Sequence, residues 1–143
     1  MNELGARVVD EARKLLGTPW HHQGRVAGMG LDCVGVVIIA GKRAGAALED
    51  VHGYRLPCDS THLIDEIERQ TDKVGTYIEQ SEPGDLAVFW TTRPDRPKHF
   101  GVITSPLTMV TIVADEFVVE RVIQTAEFDH VYDVRRMREA MVD

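Results

Sequence analysis

The residue best placed to do chemistry is Cys33. It follows Asp32, a side chain suited to cap a helix, and precedes the apolar run Val34 to Ala40. At a helix start, N–H groups without intrahelical partners and the positive end of the helix dipole stabilise a thiolate and so lower a cysteine pKa. The same N–H groups can hold the oxyanion formed when a thiolate attacks a carbonyl. The competing description of Cys33 is a small buried apolar residue, the commoner fate of a free cysteine. Cys58, beside Pro57 with no helix start immediately after it, reads as structural or incidental.

A thiolate nucleophile needs a base that takes the thiol proton and later returns it to the leaving amine. The six histidines are His21, His22, His52, His62, His99 and His130. His99 opens an expected strand directly after a polar loop, a rigid place from which to aim an imidazole. A surface histidine at a strand end is an equally good description of it, and residue type alone does not choose among the histidines. His21 and His22 followed by a lone Cys33 do not match the paired ligand spacings of zinc sites, so no metal is expected. Gly24, Gly28 and Gly30 lack the Gly-Lys-Ser/Thr ending of a phosphate-binding loop.

The elements that must position these residues follow from patterning. Leu4, Val8, Ala12, Leu15 and Leu16 share one helical face, with Arg7, Asp10, Arg13 and Lys14 on the other. Asn2 can cap that helix, and Gly17 followed by Pro19 stops it. Residues 17–31 read as a glycine-studded loop with no helix or strand signal, a length that marks a functional segment. The run Val34 to Ala40 is ambiguous. Its β-branched residues favour a strand, whereas Asp32 as a cap and Gly45 as a stop favour a buried helix. Residues 46–59 read as loop, and Asp59, Ser60 and Thr61 offer caps for a short helix carrying Leu63, Ile64 and Ile67. After Thr71 the pattern turns to strands: Leu86 to Trp90 after the turn Glu82-Pro83-Gly84-Asp85, then His99 to Thr104, Met109 to Ala114, Val118 to Ile123 and Val131 to Val134. Trp90 reads as core, and Arg135 to Met141 as a tail or short helix. Helices first and strands afterwards predict an α+β fold with an antiparallel sheet.

Composition bounds the function. A chain of 143 residues is expected to form one domain, residues 1–143, and 43% hydrophobic with 27% charged residues is ordinary for a globular protein. A net charge of −7 argues against nucleic-acid binding, which needs a basic face. No apolar run approaches the roughly 20 residues that span a bilayer, so no membrane insertion is expected. The start Met1-Asn2-Glu3 carries no basic or apolar leader, which predicts synthesis in the cytoplasm without a signal peptide. Two cysteines are too few for a disulfide framework.

Four stretches carry a resemblance. Leu16-Gly17-Thr18-Pro19-Trp20-His21-His22-Gln23-Gly24-Arg25, followed by Gly30-Leu31-Asp32-Cys33-Val34-Gly35, resembles the signature of NlpC-type cell-wall cysteine peptidases. Pro83-Gly84-Asp85-Leu86 is similar to that family's strand entry, and His99-Phe100-Gly101-Val102-Ile103 to its histidine strand. The matching pieces stand in the family's order over most of the chain. The His-His-Gln-Gly-Arg loop and the Asp-Cys-Val-Gly form look most like the phage-encoded branch, whose genes lie among tail genes.

The resemblance implies a papain-like fold, with the run after Cys33 as the catalytic helix packed on the sheet. It implies Cys33 as nucleophile, His99 as base and no cofactor. It also implies a substrate, the peptidoglycan stem peptide, cut between γ-D-glutamate and the diamino acid. Trp20, His22, Arg25 and Asp32 become expected substrate-binding residues. Tail-tip and hub proteins become expected partners, carrying the chain in a virion tail to the periplasm and cell wall. Two departures mark this chain. Trp20 stands where the family commonly has a tyrosine, and offers an indole N–H in place of a hydroxyl. The family's third catalytic group is usually His, Asn, Gln or Asp, about a dozen residues after the histidine, where this chain has Thr111. A short hairpin at Ser105 to Leu107 would set Thr111 opposite Gly101 and on the side of His99; a different register would bring Asp115 or Glu116 there instead. A structural tail-tip protein that kept the fold and lost catalysis is the alternative these departures leave open.

Overall fold

The computed structural model describes residues 2–55 and 61–141. Cys58 and the expected caps Asp59 and Ser60 lie outside the described residues. The first helix, α1, spans Glu3–Arg13, and the Asn2 side chain accepts the Gly5 N–H at 2.5 Å. Leu4, Val8, Ala12 and Leu15 are buried as the helical period requires, but Leu16 is 44% exposed because the helix ends before reaching it.

The ambiguous run is helix α2, Cys33–Ala44. Both ends are closed by side-chain and backbone chemistry. Asp32 Oδ1 accepts the Gly35 N–H at 2.7 Å, and Gly45 at φ +94° lets its own N–H and that of Ala46 return to the carbonyls of Lys42 and Gly41. Val34, Val36, Val37 and Ile38 are all buried, so tertiary burial overrides the strand preference of β-branched residues.

Two short strands, β1 (Arg25–Val26) and β2 (Gly30–Leu31), pair antiparallel inside the segment expected to be plain loop. Helix α3, Thr61–Gln70, buries Leu63 and leads directly into β3, Thr71–Gly75. After a single 3-10 turn, Ile78–Gln80, the remaining elements are β4 (Leu86–Trp90), β5 (Pro97–Ser105), β6 (Thr108–Thr111), β7 (Val119–Val122), a four-residue helix α4 (Thr125–Phe128) and β8 (Val131–Met137). They form a six-stranded sheet in the order β3-β8-β4-β5-β6-β7, with every neighbouring pair antiparallel. The architecture is the α+β arrangement expected.

Three differences from the sequence expectation have physical reasons. β8 continues through Arg135 to Met137, where a tail or helix was expected. Arg135 is buried because its guanidinium donates to Thr71 Oγ1 at 2.7 Å, Thr71 O at 2.9 Å and Asp133 Oδ2 at 2.8 Å. β3, which was not expected, is the strand that β8 pairs on that side. α4 was also missed; four residues are too few for a periodicity signal, and its stability comes from Glu127 accepting the Gln124 N–H at 2.8 Å.

Helices α1 and α2 cover one face of the sheet, burying Leu86, Val88, Phe100, Val102 and Val110. A smaller cluster of Ala87, Phe89, Ile103, Met109 and Val134 occupies the other face, as strand alternation dictates. The turn before β4 is locked at Asp85, which is 1% exposed. Its carboxylate accepts the Glu82 N–H at 2.8 Å and both Arg136 Nε and Nη2 at 2.9 Å. Among the described residues no helix is long and apolar enough to cross a membrane.

Candidate active site

Three chain segments meet at Cys33. Residues 17–20 are stitched to residues 116–118 by Gly17 N–H to Val118 O at 2.9 Å, Val118 N–H to Thr18 O at 2.9 Å and Trp20 N–H to Glu116 O at 3.0 Å. The same segment reaches the start of α2 through Leu31 N–H to Pro19 O at 3.0 Å and His21 N–H to Leu31 O at 3.1 Å. The glycines of this loop permit the close approach. A Cβ on Gly35 would stand 2.3 Å from the Gly24 carbonyl oxygen. The loop backbone therefore lies directly against the first turn of α2.

Asp32 is fully buried and all of its lone-pair directions are used. Oδ1 accepts Gly35 N–H at 2.7 Å and Arg25 Nη1 at 3.0 Å; Oδ2 accepts Gln23 N–H at 2.9 Å and the Tyr54 hydroxyl. Arg25 is used as completely. Its five N–H donors reach Asp50 Oδ1, Gly24 O, Asp32 Oδ1, Val51 O and the Tyr54 hydroxyl oxygen, at 2.8 to 3.1 Å. Burial would raise the Asp50 carboxyl, but the Arg25 guanidinium overrides it and holds the group below its ordinary value. Burial, and then the Asp32 carboxylate, push the Tyr54 phenol well above its ordinary range. Gln23, at φ +56°, is held in the left-handed region by its N–H bond to Asp32 and by its side chain donating to Tyr54 O at 2.8 Å. Tyr54 and Asp50 carry no motif and were not identified from the sequence.

His99 lies on β5, on the face it shares with Gly101 and Ile103. The register that pairs Val102 with Val110 places Thr111 beside it, and Thr111 Oγ1 is 2.8 Å from His99 Nε2. Thr111 has one hydroxyl hydrogen, and it is directed to Phe100 O at 2.7 Å. The hydroxyl must therefore accept from His99, which assigns the proton to Nε2 and leaves the Nδ1 lone pair to receive one. Asp115 and Glu116 sit in the turn after β6, closed by Glu116 N–H to Val113 O at 3.1 Å, with Asp115 at φ +65°. The register thus brings Thr111, and neither carboxylate, to the imidazole. Burial pushes the His99 pKa down to about 4, the Arg121 charge adds to that, and Glu127 opposes it. The imidazole is neutral at pH 7 and able to act as a base.

Cys33 and His99 open onto one cleft of about 680 Å³. Trp20 and Asp32 line it from the loop side, Phe89, Trp90, Thr91 and Lys98 from β4 and β5, and Ile112, Val113 and Ala114 from the end of β6. Arg121, Glu127 and His130 close the far wall. Of the residues expected to bind substrate, Trp20 and Asp32 line the cleft; His22 and Arg25 do not. His22 is exposed and meets the Tyr54 ring edge-on at 6.0 Å. Trp90, expected in the core, is a wall of the cleft, its ring 4.1 Å from that of His130. A strand-end tryptophan next to a polar loop was the available signal. Among the described residues no cluster of three or more His, Cys, Asp or Glu side chains could hold a metal ion.

The same arrangement of helices and sheet occurs in solved structures. A lipoprotein-like protein of the NLP/P60 family from Staphylococcus aureus matches at TM-score 0.69 and 19% identity, covering 97% of this chain and 43% of that one. The NlpC/p60 domain of the peptidoglycan hydrolase SagA matches at TM-score 0.63 and 22% identity, covering 96% of this chain and 100% of that one. The fold is that of the NlpC/P60 proteins. RipD from Mycobacterium tuberculosis, described as a non-catalytic NlpC/p60 domain protein adapted to peptidoglycan binding, matches at TM-score 0.62 and 14% identity, covering 95% of this chain and 98% of that one. The chain spans less than half the length of the staphylococcal protein. No family model and no curated protein matches the sequence.

Proposed function

We propose that this protein is a cysteine peptidase that cleaves amide bonds in peptidoglycan stem peptides. The observation that carries the reading is the joint opening of Cys33, at the start of a buried helix, and His99, with its Nε2 held by Thr111, onto one cleft. In the first step the Cys33 thiol proton passes to His99 Nδ1 and the thiolate attacks the amide carbonyl. The helix start, including the Cys33 N–H, holds the developing oxyanion. The imidazolium then protonates the leaving amine, and water releases the acyl group from sulfur with His99 again as base. Thr111 orients the ring in every step. The scissile bond in this reading is the γ-D-glutamyl-diamino acid amide, as the resemblance of the loop and helix motifs implies.

The proposed setting is a phage or phage-like tail. The chain is made in the host cytoplasm and assembled with tail-tip or hub proteins. It acts in the periplasm or cell wall during DNA delivery. Support for this part is the His21-His22-Gln23-Gly24-Arg25 loop with Asp32-Cys33-Val34-Gly35, which resembles the phage-encoded branch. A second reading, a structural tail-tip protein on the same fold, is favoured by the uncharged Thr111 and by the likeness to RipD, a domain described as non-catalytic.

Release of muropeptide fragments from purified peptidoglycan separates the two. Hydrolysis by wild type that disappears in Cys33→Ala supports the peptidase. Equal silence from both proteins, with the chain recovered in purified tail particles, supports the structural reading.

A further inference from the structure

Neighbouring residues on a strand ordinarily face opposite sides of a sheet, yet Lys98 and His99 line the same cleft. The reason is a bulge. Phe89 pairs with His99, but the next residue of β4, Trp90, pairs with Pro97, so Lys98 is the extra residue on β5. Pro97 opens the strand and has no N–H with which to continue the ladder, which suits it to that place. A bulge re-aims a side chain, and this one turns a lysine into the cleft of the base. The other charges of the cleft leave that lysine uncompensated. Asp32 is paired with Arg25 at 3.0 Å, and Glu127 is gripped by Arg121 through two bonds, at 2.7 Å and 2.9 Å. Lys98 is half-buried, and among the described residues it makes no ion pair and no hydrogen bond. A chain of net charge −7 thus keeps one unpaired ammonium in the cleft of its nucleophile and base, against the sign of its own surface.

We propose that Lys98 determines specificity: its ammonium binds a carboxylate that the substrate carries on a residue joined by the scissile amide, and so favours the free acid over the carboxamide. This rests on the peptidase reading above, and it names the form of stem peptide the cleft selects. A glutamate linked through its γ-carboxyl keeps its α-carboxylate on one side of the scissile bond. A diamino acid that is itself a dicarboxylate keeps one on the other side. Either carboxylate would form a charge-assisted hydrogen bond with the ammonium, in a cleft where its field is screened less than in open water. The carboxamide accepts only as a neutral group. Lys98 takes no proton from Cys33 and gives none to the leaving amine; it selects and holds the peptide on which those groups act.

The test uses three synthetic peptides: alanyl-γ-D-glutamyl-diaminopimelate with every carboxylate free, with the glutamyl α-carboxylate amidated, and with the diaminopimelyl carboxylates amidated. Affinity is measured by calorimetry on the Cys33→Ala protein, and kcat/KM for cleavage on the protein with its thiol. The free acid should bind and react about tenfold better than one of the two amidated peptides, and which one identifies the carboxylate held. Lys98→Met, in both backgrounds, should bring the free acid down to the level of that amide. Lys98→Arg should keep the preference. Three peptides bound alike or not at all, a preference that persists in Lys98→Met, or an equal loss on all three, as a merely structural lysine would give, overturns the proposal. A Lys98-dependent preference in binding, with no cleavage by the protein that has its thiol, sustains the carboxylate site and overturns the peptidase reading instead.

Discussion

In the proposed peptidase, Thr111 is the residue that orients the base. A threonine is shorter than the usual third group and carries no charge, but its hydroxyl both accepts from His99 Nε2 and donates to Phe100 O, so its orientation is fixed. Thr111→Val keeps the branched shape and removes both bonds. It should lower kcat for muropeptide release about tenfold or more with little change in KM, because the tautomer and aim of the ring are lost while the cleft is intact. Thr111→Ser should stay within a few-fold of wild type. Equal activity in Val and wild type would show that His99 is oriented by something else. A second residue-scale expectation concerns Tyr54. Its hydroxyl joins Asp32 to Arg25 inside the protein, so Tyr54→Phe leaves two buried polar groups each short of a partner. The cost in urea unfolding should be about 1 to 3 kcal/mol. A smaller loss would mean that water replaces the hydroxyl.

The first turn of α2 works as an element because the loop backbone at Gly24 can lie directly on Gly35. Gly35 in a helix interior costs stability relative to alanine on propensity alone, by about 1 kcal/mol. Here the sign reverses, because the added methyl would collide with the Gly24 carbonyl, part of a backbone held at both ends by hydrogen bonds. Gly35→Ala should destabilise the protein by about 1 to 3 kcal/mol and slow alkylation of Cys33 or peptide release, since the loop that carries Trp20 must move. A stabilised and fully active variant would show that the loop yields freely. This element also shows what the sequence could and could not convey. The caps Asp32 and Gly45 were visible as residue types, but whether Val34 to Ala40 was strand or helix could not be decided from them, since burial on nearly all sides removes the periodicity that distinguishes the two. The pairing of Gly101 with Thr111 was legible, but not for the expected reason: Ser105 belongs to β5 and pairs with Thr108, and a bulge between Ile103 and Ser105 restores the register that a three-residue loop would have given. Strand β3 and helix α4 were not legible, because one is defined by its partner β8 and the other by a single cap.

At the scale of the whole molecule, the site is a convergence of segments far apart in sequence, which is why only part of it was legible. Cys33, His99 and Thr111 stand in motifs with a chemical reason and a spacing. Tyr54, Arg121 and Glu127 do not: each matters through a partner that only the fold brings near. Burying a neutral histidine at this junction makes stability depend on pH. In the unfolded chain His99 has the ordinary pKa of about 6.5. In the folded protein it is pushed down to about 4. Between those values the unfolded state binds the proton and the folded state does not, so stability rises with pH across that window and falls as the solution is acidified through it. From pH 7.5 to pH 4.5 the His99 contribution should fall by about 2 kcal/mol. Urea unfolding of wild type and His99→Gln at both pH values isolates it, since all other groups titrate in both proteins. Wild type should lose more stability than the variant on acidification. Parallel losses would mean that the imidazole protonates in the folded cleft nearly as readily as in water, and that the base is matched to neutral pH without help from burial.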